Sequence, residues 1–168
     1  MPDLWSKAVK KAAAAFLLSV LLAPGALAAG KNPEPVPRFV SLRADVVNLR
    51  TGPGDRYPVE WVYHRKGLPV EIIAQYDQWR RIRDWQGTEG WVHQRLVTGT
   101  RTVMVKGAQR LLHADADASS PPMAKLDPGV IAQLLECRGT WCRVETQDIK
   151  GWLNRDEIWG VYPNEIVR

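Results

Sequence analysis

Residues 79–85, WRRIRDW, contain two tryptophans and three arginines within seven positions. In an extended strand Trp79, Arg81, Arg83 and Trp85 would share one face, and Arg80, Ile82 and Asp84 would share the other. Cys142 and Val144 hold the positions of Arg80 and Ile82 in a similar run 62 residues later, and both are apolar, so we expect Ile82 to face the core. Guanidinium groups beside indoles suit cation–π stacking or a ligand that carries a carboxylate. We therefore predict that all four residues contact a ligand, with Trp85, which is next to a turn, favoured over Trp79. The alternative is that the tryptophans cap a barrel and the arginines are solvated.

A second aromatic set, Tyr57, Trp61 and Tyr63, precedes this strand. These residues are also spaced by even numbers, so they share a face wherever the chain is extended. An aromatic groove with arginine at its edge forms a surface for a peptide or a glycan. We add Arg50, at the end of the preceding strand, to the predicted ligand-binding set. Each aromatic ring is equally compatible with a place in the core.

The loop Gly52-Pro53-Gly54 lies between these segments and raises the possibility of a phosphate cradle. A cradle needs successive free backbone N–H groups, a lysine and a following helix. Pro53 has no backbone N–H to donate, the Gly-Lys-Ser/Thr motif of a phosphate-binding loop does not follow, and no helical pattern comes after the loop. The sequence therefore favours a tight turn in which the glycines adopt positive φ.

Side chains for catalysis or metal binding are spread along the chain without a recognisable pattern. His64, His93 and His113 do not have metal-ligand spacing. Asp115 and Asp117 stand in a loop rich in Ala and Ser, which is more typical of a solvated turn than of an acid–base pair or a calcium site. No nucleophile with an oriented base can be assembled. We predict a protein that is not an enzyme and that uses no metal and no cofactor.

The two cysteines, Cys137 and Cys142, lie in LLECRGTWCRVE. A hairpin that turns through Gly139-Thr140 would place them opposite each other, at a pair where the strands approach closely. Because the spacing is not CxxC and no histidine is close in sequence, we predict a structural disulfide and not a redox or catalytic thiol.

The N-terminal segment has the composition of an export signal. Residues 1–28 contain a basic region, the apolar run AAAAFLLSVLLA, and Ala26-Leu27-Ala28 as a cleavage site, so the mature chain is expected to begin at Ala29. Residues 29–38 read as a proline-rich linker. Export also agrees with the predicted disulfide. We expect a periplasmic or secreted protein that does not insert in a membrane after cleavage.

The charge of the mature chain is low. Without the three basic residues and the one acidic residue of the signal, 20 basic and 17 acidic residues remain. A protein that binds nucleic acid would have a strongly basic face, so nucleic acid is excluded as a partner.

After the linker the chain repeats itself with an offset of 61 or 62 residues. The repeated anchors are Leu49 and Leu111, Gly67 and Gly129, Trp79 and Trp141, and Gly90-Trp91 and Gly151-Trp152. Such agreement indicates a tandem duplication. We predict one unit at 39–99 and a second at 100–168.

Each unit consists of short β-type runs separated by turn residues. In the first unit strands are predicted near 46–50, 60–64, 69–75, 79–84 and 89–93, followed by one helical turn at 93–96. Five short strands without a covering helix must close their edges by curling into a small barrel. The segment 101–105 is expected to open the second unit while completing the first.

These motifs together resemble the bacterial SH3-like domains of exported proteins. The matching elements are Asn48-Leu49-Arg50, Gly52-Pro53-Gly54, Tyr57-Pro58, Gly67-Leu68-Pro69-Val70, Trp79 to Arg83, and Gly90-Trp91-Val92. In the second unit only the back half matches, because residues 110–115, RLLHAD, replace the Asn-Leu-Arg and Gly-Pro-Gly motifs. The resemblance implies an all-β fold of two small SH3-like β-barrels in tandem, the second degenerate. It also implies non-catalytic binding of peptidoglycan or its peptides, and sometimes of another protein.

The aromatic set distinguishes the two units. Ser119, Met123 and Gln147 stand near the positions of Tyr57, Trp61 and Trp85. We therefore expect the first barrel to bind peptidoglycan or other cell-envelope material, and the second to stabilise, space or pair with a partner. The alternative function is a protein-interaction adaptor that recruits or regulates an envelope enzyme.

Overall fold

The computed structural model describes residues 34–168, so the predicted signal peptide at 1–28 lies outside the described residues, as does the first half of the predicted linker, 29–33. Residues 34–168 form one compact unit. Neither of the short helices in this part of the chain has the length or the apolar character to cross a membrane.

The described chain is built from short antiparallel strands with no α-helix. In the first half the strands are β1 Arg38–Leu42, β2 Val47–Arg50, β3 Val59–Tyr63, β4 Pro69–Tyr76, β5 Trp79–Arg83, β6 Glu89–His93 and β7 Val97–Thr98. In the second half they are β8 Thr102–Val105, β9 Arg110–His113, β10 Pro122–Leu126, β11 Ile131–Arg138, β12 Trp141–Thr146, β13 Ile149–Asn154 and β14 Ile158–Trp159. A single 3₁₀ turn precedes the last strand of each half, at Gln94–Leu96 and at Arg155–Glu157.

The two halves have the same topology. The strand order is β3-β2-β6-β5-β4-β1-β7 in the first sheet and β10-β9-β13-β12-β11-β8-β14 in the second. The longest strand of each sheet is irregular at the same place, between Ile72 and Ala74 in β4 and between Leu134 and Glu136 in β11. Such irregularities bend a strand and let a small sheet coil around its own core. The predicted fold, two small β-barrels in tandem, is confirmed.

The core of each barrel takes one face of its strands. Ile82 is fully buried, as predicted, and so are its partners in the first core, Val47, Leu49, Val70 and Val92. In the second barrel Cys142 and Val144 occupy the matching inward positions of β12 and are also fully buried.

One anchor of the predicted repeat is wrong by one residue. A Cβ atom on Gly90 would lie 2.5 Å from Leu49 Cγ, and a Cβ atom on Gly151 would lie 2.6 Å from Leu112 Cγ. The counterpart of Leu49 is therefore Leu112 and not Leu111, which is 40 % exposed on the other face of β9. Two adjacent leucines gave the sequence comparison no means to choose between them, whereas the strand alternation does.

The predicted disulfide is confirmed. Cys137 and Cys142 are bonded and lie opposite each other in β11 and β12. The pair Arg138 and Trp141 separates them from the turn at Gly139-Thr140. Gly139 has φ +54°, a left-handed conformation that glycine adopts without strain. The backbone N–H of Cys137 also donates to the carbonyl of Val167, so the C-terminal segment is fixed beside this hairpin.

Strand β1 is buried on both faces, because the second barrel covers the face that its own barrel does not. Val40 and Leu42 point into the first core. On the opposite face, Phe39 packs edge-on against Trp159 of the second half, with ring centroids 5.1 Å apart. Ser41 Oγ lies 2.6 Å from Thr102 Oγ1, and the Thr102 hydroxyl donates to the carbonyl of Gly67 at 2.6 Å. The two barrels are therefore in direct contact along β1.

Strand β8 serves both barrels. It is hydrogen-bonded in the second sheet, and Val103 and Val105 lie in the second core. Met104, on its other face, is 3 % exposed and belongs to the first core. The segment 101–105 thus opens the second unit and completes the first, as expected from the sequence.

We expect Met104→Ala to lower the free energy of unfolding by about 2–5 kcal/mol, because the truncation leaves a cavity in the first core. Urea unfolding of the purified mature chain, followed by circular dichroism, measures the change. Since the side chain connects the two barrels, the wild type is also expected to unfold in one calorimetric transition.

Met123→Ala is the matched control. Met123 is 54 % exposed on β10, so its truncation is expected to change the free energy of unfolding by no more than about 0.5 kcal/mol. Two separate transitions in the wild type, or equal effects of the two substitutions, would contradict the shared core.

Candidate functional site

The backbone of the Gly-Pro-Gly turn packs directly against the aromatic ring of Tyr57. A Cβ atom on Gly52 would lie 2.5 Å from the Tyr57 ring, and one on Gly54 would lie 3.3 Å from it. Neither glycine has positive φ, so the predicted conformational reason is wrong. Glycine is required there because the ring lies directly on the backbone. Arg50 Nη1 donates to the Tyr57 carbonyl at 2.8 Å, so Arg50 holds the loop closed.

Tyr63 lies in the core, not on the predicted binding surface. Trp61 and Tyr63 do share a face, since they pair with the buried Leu49 and Val47 across β2. Tyr63 is only 4 % exposed, because the turn after β5 covers it, whereas Trp61 on the outermost strand is 54 % exposed. Alternation along a strand predicts the face but not which end of the face is covered.

Trp79 is also buried. It is 9 % exposed, and its ring packs edge-on against His93 at 5.4 Å between centroids. In the second barrel Trp141 also packs edge-on against a histidine, at 5.6 Å between centroids, but this histidine, His113, comes from β9, and the residue opposite Trp141 is Asn154. Trp79 is therefore a packing residue of the first barrel, and the prediction that it belongs to an exposed Trp-Arg ladder on β5 is wrong.

The carboxylate of Asp84 positions Trp85. Asp84 is 2 % exposed, and its Oδ1 accepts the backbone N–H groups of Gln86 and Thr88, both at 2.9 Å. Its Oδ2 accepts the Tyr63 hydroxyl at 3.0 Å. These bonds fix the turn at 84–88, and Trp85 projects from it with 41 % of its surface exposed. Burial, and then the charge of Asp84, raise the pKa of Tyr63 well above its usual value.

Trp61 and Trp85 meet in one groove of about 450 Å³, which we call the Trp groove. They are the only exposed tryptophans in the described part of the chain. The opposite wall comes from the second barrel. Its residues are Met104, Val105, Lys106, Gly107, Pro128 and Gly129. The groove is therefore shared by both barrels, although the sequence placed the site on the first barrel alone.

The basic side chains that line the Trp groove are His64, Arg65 and Lys106, and no aspartate or glutamate lines it. Sequence reasoning missed these residues. Arg65 follows the strand that carries Trp61, and Lys106 follows the repeated segment 101–105, so both were visible as turn residues. Their convergence depends on the packing of the barrels, which no local pattern contains.

Arg81 and Arg83 lie outside the Trp groove, and both are paired. Arg81 forms an ion pair with Glu89 at 2.9 Å. Arg83 donates to Glu71 through Nε at 3.0 Å and through Nη2 at 2.6 Å, and the hydrogen bond to Glu71 raises the pKa of Arg83. The alternative interpretation of the β5 arginines, as charges of the surface, fits this geometry better than a ligand contact.

A second cleft of about 590 Å³ lies between the barrels and includes Arg83. Its rings, Phe39, Trp159 and Tyr162, pack against one another. The Tyr162 hydroxyl donates to Glu71 at 2.8 Å, and Glu71 also holds Arg83. Burial and the Glu71 contact raise the pKa of Tyr162 above its usual value. Although this cleft is larger, its rings and its central charges are engaged with each other.

The second barrel has no aromatic pair of this kind. In the strand pairing, Leu49 lies opposite Trp61 and Leu112 lies opposite Ala124, so the counterpart of Trp61 is an alanine. Gln147 stands at the Trp85 position, in a turn where its own φ is +48°. Within residues 34–168 no three His, Cys, Asp or Glu residues lie together as a metal site.

Comparison with known proteins gives a family and distant structural neighbours. The model of the family described as "Bacterial SH3 domain" matches residues 43–99 and again residues 106–160. Two solved structures from Trichomonas vaginalis are similar. NlpC2 has a TM-score of 0.36 at 8% identity, over 77% of this chain and 50% of that chain. NlpC1 has a TM-score of 0.35 at 9% identity, over 76% of this chain and 47% of that one. The chain thus spans about half the length of these structures. No curated protein matches the sequence.

We expect Tyr63→Phe to lower the free energy of unfolding at pH 7 by about 1–3 kcal/mol, because buried Asp84 loses one of its donors. Urea unfolding measures the loss. Tyr76→Phe, at a position that is 63 % exposed, is the control and is expected to change stability by no more than about 0.5 kcal/mol.

The stability of the wild type is expected to fall with alkaline pH. The pKa of Tyr63 is raised in the folded state, so above about pH 10 the unfolded chain has released a proton that the folded chain keeps. The stabilisation is complete below that pH and is lost as the pH rises towards the folded pKa. Unfolding curves at several pH values from 7 to 11 should show a smaller alkaline loss in Tyr63→Phe. An equal loss in both proteins would contradict the Tyr63–Asp84 bond.

Proposed function

Because the chain belongs to the bacterial SH3 domain family, we propose that it is a non-catalytic, exported binding module that recognises peptidoglycan through the Trp groove. Bacterial SH3 domains are typical of envelope-associated proteins. The observation that carries the proposal is the meeting of Trp61 and Trp85, both exposed, in a single groove.

The Trp groove has the physical properties of a binding site. Large aromatic rings contribute the most apolar area per side chain at protein interfaces, and exposed ones that lie together mark ligand surfaces. The turn that carries Trp85 is fixed by Asp84, and the facing wall is anchored by Met104 of β8, so the backbone around the groove is ordered before a ligand arrives. Preorganisation of this kind reduces the entropy lost on binding.

The lining of the Trp groove supports binding over hydrolysis. Its side chains include no serine, threonine, cysteine, aspartate or glutamate, so the groove offers neither a usual nucleophile nor a carboxylate for acid–base chemistry. His64 is present but has no hydrogen-bonded carboxylate that would orient it among the described residues.

A protein-interaction adaptor remains the second candidate, and one observation favours it. Strand β3 is the outermost strand of its sheet, and Val59, Trp61 and Val62 on it are all exposed. A free strand edge with apolar side chains can accept an extended segment of a partner protein. In this case the recruited partner would be an envelope protein.

The purified mature chain is expected to co-sediment with purified peptidoglycan sacculi. Trp61→Ala and Trp85→Ala should each weaken this binding about tenfold or more, because truncation of a central aromatic contact removes a large share of binding free energy. Binding curves from the sedimented fraction at increasing sacculus concentration give the ratio.

Tyr76→Ala is the matched control, since Tyr76 is an exposed aromatic residue that does not line the Trp groove, and it should bind like the wild type. If the wild type stays in the supernatant while an affinity pull-down from an envelope extract recovers one discrete protein, the adaptor function replaces peptidoglycan binding.

A further inference from the structure

The Trp groove combines apolar walls with charged side chains that are all positive. Arg65 belongs to the first barrel and Lys106 to the second, and both line the groove together with Trp61 and Trp85. Within residues 34–168 neither cation has a hydrogen bond or an ion pair from its side chain, in contrast to Arg81 and Arg83 on β5. Both are solvated cations beside a low-polarity surface.

The backbones that carry these two cations are fixed relative to each other. The Lys106 N–H donates to the Glu157 carbonyl at 2.9 Å, and Lys106 follows β8, whose Met104 is anchored in the first core. Arg65 reaches across to the second barrel, where its Nη1 lies 3.8 Å from the place of a Cβ atom on Gly129. This is an ordinary van der Waals separation, so the guanidinium group lies against the second barrel at the junction.

We propose that the Trp groove selects ligands that carry a carboxylate, which Arg65 and Lys106 bind from the two barrels while the uncharged part of the ligand packs on Trp61 and Trp85. The inference rests on the proposed function, because the carboxylate-bearing component of peptidoglycan is its peptide. It assigns the second barrel a direct part in the site.

The charge pattern supports this class of ligand over a neutral glycan. A neutral sugar needs hydrogen-bond acceptors as well as donors, and the side chains that line the groove offer no carboxylate and no amide. Arginine and lysine are donors only, and they form their strongest hydrogen bonds with anionic oxygens.

The test compares native sacculi with sacculi whose carboxylates have been converted to amides by carbodiimide and ammonia. The wild type should bind the amidated sacculi about tenfold or more weakly, because charge-assisted hydrogen bonds to the carboxylate are lost. Arg65→Gln and Lys106→Gln should bind native sacculi with a similar loss, and amidation should then weaken them less than it weakens the wild type. The Arg65→Gln variant is needed in addition to Lys106→Gln, because Lys106 also borders the second cleft, whereas Arg65 lines only the Trp groove of the two.

Lys125→Gln is the matched control, an exposed lysine on β10 that does not line the Trp groove, and it should respond to amidation as the wild type does. Both test residues are exposed, so unfolding curves should confirm unchanged stability. Equal binding of wild type to native and amidated sacculi would overturn the inference and leave the proposed function standing. No binding to native sacculi would overturn the proposed function, and the inference with it.

Discussion

The burial of β1 on both of its faces is the constraint on which the rest of the structure depends. A strand of a small barrel normally shows one face to its core and the other to water. Here Val40 and Leu42 fill the first core, and Phe39 and Ser41 lie against the second barrel. In the other direction, Met104 of strand β8 packs into the core of the first barrel. The two copies consequently share packing, and one copy cannot turn against the other without exposing these side chains.

The position of the Trp groove follows from that contact. Strand β3 is the outer edge of the first sheet, and by itself it would leave Trp61 exposed with nothing opposite. Because β8 is anchored by Met104, residues 105–107 and 128–129 of the second barrel form the facing wall. The duplication thus provides a groove that neither barrel has alone. Loss of the aromatic residues from the second copy is compatible with this arrangement, since that copy contributes a wall and a cation.

The sequence predicted the features that depend on neighbours along the chain. Alternation along β5, read beside the apolar Cys142 and Val144 of the second unit, placed Ile82 in the core, as observed. The spacing of Cys137 and Cys142 around Gly139-Thr140 predicted the disulfide, also as observed. These features need only the period of a strand and the geometry of a two-residue turn. The repeat was also visible, because glycine and tryptophan recur at positions that the barrel requires.

The sequence failed where burial depends on which element covers a face. Tyr63 and Trp61 have the same facing, but only Tyr63 lies under the Asp84 turn. Gly52 is required by the ring of Tyr57 and not by its own φ, a contact across a loop that no pattern expresses. The contribution of Lys106 depends on contact between barrels, which is a tertiary property. For these residues the determining partner lies outside the local window that sequence reasoning uses.

The central claim is that both barrels build one binding groove, and a nuclear magnetic resonance titration tests it most directly. Soluble peptidoglycan peptides added to the isotope-labelled mature chain should shift the indole N–H signals of Trp61 and Trp85 together with the backbone amides of Gly107 and Gly129. Shifts that are confined to the first barrel, or that centre on Phe39 and Tyr162 in the second cleft, would contradict the account.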